Sequence, residues 1–217
     1  GLVDIKYSSA FEPVCLIAST PSVITVGAKT PWKSFKELVD DAKKRPGQIV
    51  VGASLGSTSQ YSIALAAKAA GISFKYVPYQ GTAPRMNALL GGHIEVADSN
   101  LTQKSKVDAG LMRFLANMSD KRTEGLENVP TLNELGYDVE YSVNRGLMVP
   151  KGTPAEVINK LNDACAKAVK EPEYAKALLS QGTSVRYMDP KGYADYLKKT
   201  DEQTKDIAKS LGLLKRE

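Results

Sequence analysis

The sequence predicts an α/β fold of parallel-rich sheets flanked by helices. Short apolar, β-branched runs recur with helical patterns between them, polar turns follow several of these runs, and from Thr153 the pattern becomes helical. Parallel strands need a crossover and a helix supplies it, so such alternation favours βαβ units and a mainly parallel sheet. The 217 residues, 42% hydrophobic, suffice for a substantial core in one large domain or two small ones.

The strand candidates, in order, are Val14 to Ala18, Ile24 to Val26, Ile49 to Gly52, Phe74 to Val77, Ile94 to Ala97, Arg113 to Ala116 and Gly146 to Val149. Ser34, with Glu37 three residues on, forms a capping box that opens a helix, and Pro46-Gly47 closes it. A further helix runs from Tyr61 to Ala70, and Thr82 and Pro84 open a short one that ends at Gly91-Gly92. Thr153-Pro154-Ala155-Glu156 reads as an N-cap, a first-turn proline and a second capping box, ahead of apolar positions at Val157, Ile158, Leu161, Ala164, Cys165 and Ala168. Two more helices are expected, from Pro172 to the stop at Gly182 and from Asp189 to Leu213. Pro150-Lys151-Gly152 thus divides an α/β region from a helical tail.

Net charge is +5, but the 29 basic residues are interleaved with 24 acidic ones. Lys36-Glu37 and Lys198-Lys199-Thr200-Asp201-Glu202 read as solvated helix faces rather than a nucleic-acid stripe. No apolar run approaches the roughly 20 residues of a membrane-spanning helix, and no amino-terminal stretch reads as a signal peptide. His93, the single histidine, has no second imidazole for a metal site or a His-based nucleophile system and reads as a turn residue. Gly52-Ala53-Ser54-Leu55-Gly56-Ser57 is only loosely like a dinucleotide fingerprint, with Ser in place of the last Gly. No cofactor and no metal are expected. Cys15 and Cys165 are either two buried thiols, the reading placed slightly ahead, or one long-range disulfide.

Three strand-to-helix turns carry the candidate site. Ser54, Gly56, Ser57, Thr58, Ser59 and Gln60 lead into the helix at Tyr61, where free N–H groups, the positive dipole end and hydroxyl donors suit a carboxylate or phosphate. Ser57 or Thr58 acting only as a helix cap is the plainer alternative. Tyr79, Gly81, Thr82 and Ala83 form a second turn of the same layout, and Asp98 and Asn100 a third. In a parallel sheet all three lie at the carboxyl edge, where ligands of α/β folds sit. Asp98 reads as an N-cap or as a partner for a ligand amine. Asn144 and Arg145 lie where the sheet region crosses to the tail; the Arg145 guanidinium either forks a ligand carboxylate or is an exposed or lobe-bridging arginine.

Six segments resemble one known family, in order and through nearly the whole chain: Phe11 to Val14, Val77 to Pro84, Ala88 to Val96, Ser119 to Arg122, Asn128 to Leu132 and Val149 to Pro154. They look like the substrate-binding receptors of tripartite tricarboxylate transporters, the Bug or TctC-type proteins. The resemblance implies a two-lobed, type II-like periplasmic-binding-protein fold that closes over a carboxylate in an interlobe cleft and presents it to permease subunits. It implies as ligand a di- or tricarboxylate, an amino acid or an aromatic acid, with the three turns facing the cleft. In two respects the chain departs from the family pattern. Asn144-Arg145 stands where many relatives have an aromatic, and relatives begin well before the residue matching Gly1, so the first lobe is expected to be incomplete.

On this reading residues 24–141 form the second lobe, and residues 1–23 with 142–217 a remnant of the first. Apolar positions at Ile158, Leu161, Leu178, Leu179, Tyr193, Tyr196 and Leu197 would then lack cover within the chain, so self-association or a separate N-terminal segment should supply it. Two other classes compete with the receptor: a transferase-like α/β enzyme using the same turns, and a ligand-free interaction module of the same fold.

Overall fold

A computed structural model describes residues 7–213. In chain order these form α1 (Tyr7–Ala10), β1 (Phe11–Pro21), β2 (Val23–Gly27), α2 (Phe35–Lys44), β3 (Val50–Ala53), α3 (Thr58–Ala70), β4 (Lys75–Pro78), α4 (Thr82–Gly91), β5 (Val96–Ser99), α5 (Lys104–Asp108) and β6 (Met112–Asn117). They continue with β7 (Ser142–Pro150), α6 (Ala155–Ala168), α7 (Pro172–Ser180), β8 (Ser184–Met188) and α8 (Pro190–Ser210). The chain divides into two compact units: unit 1, residues 1–20 with 144–217, and unit 2, residues 21–143.

Unit 2 is built on a five-stranded sheet of order β4-β3-β5-β2-β6. The expectation of a mainly parallel sheet holds for one half only. β3 pairs in parallel with β4 and β5, whereas β2 pairs antiparallel with β5 and β6. The parallel half follows from the β3-α3-β4-α4-β5 succession, because each helix carries the chain back to the same end of the sheet. Every residue of β2 is buried, as in a strand covered on both faces. α2 shows how local signals set an element. Ser34 Oγ accepts the Glu37 N–H, Glu37 in turn accepts the Lys33 N–H at 2.6 Å, and Phe35, Leu38, Val39 and Ala42 turn one stripe inward. α3 has nine residues buried, and Met86, Ala88, Leu89, Ile94, Ala97 and Met112 form a core cluster around α4 and β5.

Unit 1 has a three-stranded sheet of order β7-β1-β8, with β8 antiparallel to β1. β8 corrects the expectation of a wholly helical tail. Its five residues lie between two strong helix signals, too short for alternation to stand out. The cap of α6 is corrected as well. Pro154 occupies the N-cap position and Thr153 Oγ1 donates to the Pro150 carbonyl, because the proline at the N-cap takes the place a side-chain cap would need. α8 begins as expected, with Asp189 accepting the Gly192 N–H at 2.7 Å. Cys15 on β1 and Cys165 on α6 are joined in a disulfide across 150 residues, which overturns the reading that put two free thiols first. Free cysteine is a small buried apolar group, and sequence spacing alone does not reveal a partner brought close by the fold.

No residue of α6 or α7 is buried, while Leu147, Met148 and Val157 are exposed. Ile158, Leu161, Leu178, Leu179, Tyr196 and Leu197 are half-buried, but Tyr193 is buried within the unit. Tyr193 lies directly on Gly146 of β7: a Cβ there would meet the ring and its hydroxyl at 2.6 Å. Gly146→Ala should therefore lower the stability of unit 1 by about 1–3 kcal/mol, the usual cost of overpacking, measured by denaturant unfolding. Phe11, Pro13, Met148, Ala194, Leu197, Lys198 and Asp201 surround a shallow, mostly apolar pocket of about 260 Å³ in the same unit.

Candidate functional site

Because β4, β3 and β5 are parallel neighbours, the turns that follow them emerge at one edge of the unit 2 sheet, with the β3–α3 turn in the middle. That turn is held by its own side chains. Gly56, at φ +70°, donates its N–H to Gln60 Oε1 at 2.7 Å, and the Ser54 N–H donates to Ser59 Oγ at 3.0 Å. Gln60 and Ser59 are buried, so both spend their polar atoms on shaping the loop. Ser57 is the N-cap residue of α3 by backbone, yet its side chain does not cap; its hydroxyl donates to the Ser54 carbonyl at 2.7 Å and lies 3.0 Å from Ser59 Oγ. The expected side-chain cap is thus absent, and the Ser57 hydroxyl bonds within the turn. The N–H groups of Thr58 and Ser59, the first two of the helix, have no partner among the described residues.

The second turn leans on the first. Gly81, at φ +93°, is the N-cap of α4 and donates its N–H to Ser54 Oγ at 3.3 Å. Thr82 and Ala83, the first helical residues, are exposed. Tyr79 donates its N–H to the Ala53 carbonyl at 2.9 Å, and its half-buried ring lies over Gly52. In the third turn Asn100, not Asp98, is the cap, accepting the Thr102 N–H at 3.0 Å. Asp98 is still in β5, where the extended backbone and neighbouring strands leave no helix start to cap.

The residue that ties the three turns together was not among the sequence candidates. Arg85 of α4 is only 4% exposed. Its Nη1 donates to Ser59 Oγ at 3.1 Å and, more weakly, to Ser54 Oγ at 3.4 Å, while Nη2 donates to the Asp98 carbonyl at 3.3 Å and lies 4.0 Å from Asp98 Oδ2. Its Nε has no hydrogen-bond partner among the described residues. A signal was present in the sequence: Arg85 stands on the stripe of α4 that also holds Ala88 and Leu89, where a charge has no reason to be unless it is paired.

Charge and hydrogen-bond polarity at this edge favour an anion. Ser54 Oγ accepts from both the Gly81 N–H and the Arg85 guanidinium, so its own hydrogen is the part left to donate outward. The Thr58 and Ser59 N–H groups sit at the positive end of a 13-residue helix. Asp98 is the countercharge: Ser62 donates to its Oδ1 at 2.9 Å. Burial pushes the Asp98 carboxyl up to about 6, against hydrogen bonds from Ser22 and Ser62 and the Arg85 charge, which hold it down. Burial also pulls the Arg85 guanidinium below its ordinary value, with Asp98 opposing.

Asn144 and Arg145 belong to unit 1. Asn144 Nδ2 donates to Tyr196 Oη at 2.8 Å, and Arg145 Nη1 donates to Thr20 Oγ1 at 2.7 Å, with Thr183 Oγ1 at 3.4 Å. Arg145 thus joins β1 to the turn before β8 inside its own unit.

The profile of the tripartite tricarboxylate transporter family receptor matches residues 3–213. A UPF0065 protein of Cupriavidus necator, from the gbd 5' region, is 34% identical over 194 residues; the match takes in 88% of this chain and 59% of the relative's length. The chain therefore spans less than two thirds of that relative. A TctC solute-binding protein from Polaromonas, solved without ligand, superposes with a TM-score of 0.87 at 33% identity, covering 97% of this chain and 73% of the other. An R. palustris protein solved with adipate superposes at 0.76 and 28% identity, covering 96% and 71%. The fold is that of the TctC-type solute-binding proteins. With the match running from residue 3 to residue 213, the chain belongs to the tripartite tricarboxylate transporter receptor family.

Proposed function

We propose that the chain is part of a periplasmic solute-binding receptor that captures a small carboxylate at the β3–α3, β4–α4 and β5 turns and delivers it to the permease of a tripartite tricarboxylate transporter. The observation that carries this reading is the one-sided polarity of the central turn: unpartnered N–H groups at Thr58 and Ser59, an outward donor at Ser54, and a buried guanidinium behind them. Such a set stabilises a carboxylate through charge-assisted hydrogen bonds and holds it without any covalent step. The adipate in the R. palustris protein is a ligand of this class. No helix among the described residues is long and apolar enough to cross a membrane. The disulfide suits an oxidising compartment such as the periplasm.

Mass spectrometry of denatured, freshly purified protein should release a small carboxylic acid. Calorimetry with adipate, succinate, glutamate and benzoate should give saturable binding of at least one of them with the ligand recovered unchanged. Ser54→Ala should then weaken binding by about 1.5–3 kcal/mol, the worth of a hydrogen bond to a charged group. Ser57→Ala should weaken it less, since that hydroxyl is committed within the loop. Absence of any carboxylate binding, or chemical conversion of a bound acid, would end this reading.

A further inference from the structure

We infer that Asp98 is a displaceable counterion: a carboxylate entering the β3–α3 turn takes over the charge of Arg85, and Asp98 takes up one proton from solvent as it does so. This rests on the proposed receptor function and adds to it a binding residue, Arg85, and a proton that travels with the ligand.

The geometry of the pair is the starting point. Arg85 and Asp98 are both largely enclosed, at 5% and 13% side-chain exposure, yet their closest approach is 4.0 Å, the outer limit of an ion pair. Each makes a closer hydrogen bond elsewhere: Arg85 donates to Ser59 Oγ at 3.1 Å, and Asp98 accepts from Ser62 at 2.9 Å. With Nε unpartnered, the guanidinium has donor capacity that its counterion does not use. Its bonds to Ser54 and Ser59 connect it to the turn where a ligand carboxylate would settle.

A second anion at this turn would share one buried cation with Asp98. Two carboxylates in such a site do not both remain ionised at neutral pH without large cost, and protonating one of them relieves it. Asp98 is the one prepared for this, since burial has already carried its carboxyl up to about 6. The groups that face it are Arg85 from α4, Ser62 from α3 and Ser22 ahead of β2, with Ile24 opposite on β2. The Tyr79 ring lies beside the Arg85 stem at Gly52. Among these Arg85 is the charged partner. The balance is simple: a carboxylate plus a solvent proton gives the neutral acid on Asp98, and the positive charge of Arg85 passes to the ligand.

The test is calorimetry of the full chain with whichever of adipate, succinate, glutamate or benzoate binds, at pH 6.5, 7 and 8, in HEPES and in Tris. The binding heat should differ between the buffers by an amount equal to uptake of about one proton per ligand at pH 7, and affinity should fall by up to about tenfold per pH unit above 6. Asp98→Asn should abolish the buffer dependence and bind about tenfold or more tightly than wild type at pH 8. Arg85→Gln should lose at least about tenfold in affinity, and Arg85→Lys, a point charge without the planar fork, should fall between the two. Should either variant fail to fold, the wild-type proton count decides alone. Binding with equal heats in both buffers and a flat pH profile would overturn the proton-linked exchange while leaving the receptor reading intact. If no carboxylate binds the wild type at any pH, both fall.

Discussion

Reduction of the Cys15–Cys165 bridge should destabilise unit 1 by about 3–4 kcal/mol and leave unit 2 standing. The bridge closes a loop of 150 residues, but with unit 2 folded and its ends joined only roughly 25 of them are free, and in the chain-entropy account a loop of that size restricts the unfolded chain by about this much. All of unit 2, residues 21–143, lies within the loop, but its core is its own. The sequence contains one tryptophan, Trp32, which is buried in unit 2 with its Nε1 donating to Asp41 at 3.0 Å. Its fluorescence therefore follows unit 2, whereas far-ultraviolet circular dichroism follows both units. In denaturant, a reductant or the Cys15→Ala, Cys165→Ala double variant should move the second signal to a lower midpoint and leave the first in place. A common shift of both midpoints would show that the two units unfold as one.

The second large effect is expected from Arg85→Met, and it should depend on pH. Removing one member of a buried pair strands the other, at a cost of about 3–5 kcal/mol when the survivor stays charged. The sign follows from Asp98. Its folded value of about 6 lies above the ordinary 3.8, so between these values the folded chain binds more protons than the unfolded one. Asp98 therefore contributes a destabilisation that is absent below 3.8, grows as pH rises through this window and is complete above about 6. Without Arg85 the carboxyl should rise further and the window should widen upward. The variant should lose about 3 kcal/mol relative to wild type at pH 8 and clearly less at pH 5, where a protonated Asp98 needs no cation. Urea unfolding at the two pH values, followed by Trp32 fluorescence, measures the difference. Equal losses at both would show that Arg85 contributes packing and not charge.

What was legible in the sequence was local. Ser34, Glu37 and Pro46-Gly47 bracket α2 because caps and breakers act within one turn of the chain. The three polar turns were legible for the same reason, since a strand end followed by Gly and Ser residues has few other conformations. What escaped depends on pairing between distant segments. β8 gains its identity from β1, more than 160 residues earlier, through Leu16 opposite Met188 and Ser19 opposite Ser184. The disulfide depends on that same closure. Arg85 escaped because a charge inside an apolar helix stripe is explained only by Asp98 and Ser59, which lie on other elements. The antiparallel placing of β2 between β5 and β6 was equally hidden, as a buried apolar strand reads the same in either direction.

The nesting of unit 2 between the halves of unit 1 also sets an order of events during synthesis. Whether it emerges from the ribosome or from an export channel, β1 appears before its neighbours β7 and β8, which are completed only at Pro150 and Met188. Unit 2 is delivered whole in the interval, and its two ends meet in a hydrogen bond from the Ser22 N–H to the Tyr141 carbonyl at 3.2 Å. The early strand must therefore wait for β7 and β8 while an entire unit folds behind it, with the apolar segment from Val14 to Ala18 lacking those two partners for that time. Rapid folding of the inserted unit shortens the delay, since it draws the chain on either side of it together before the late strands arrive.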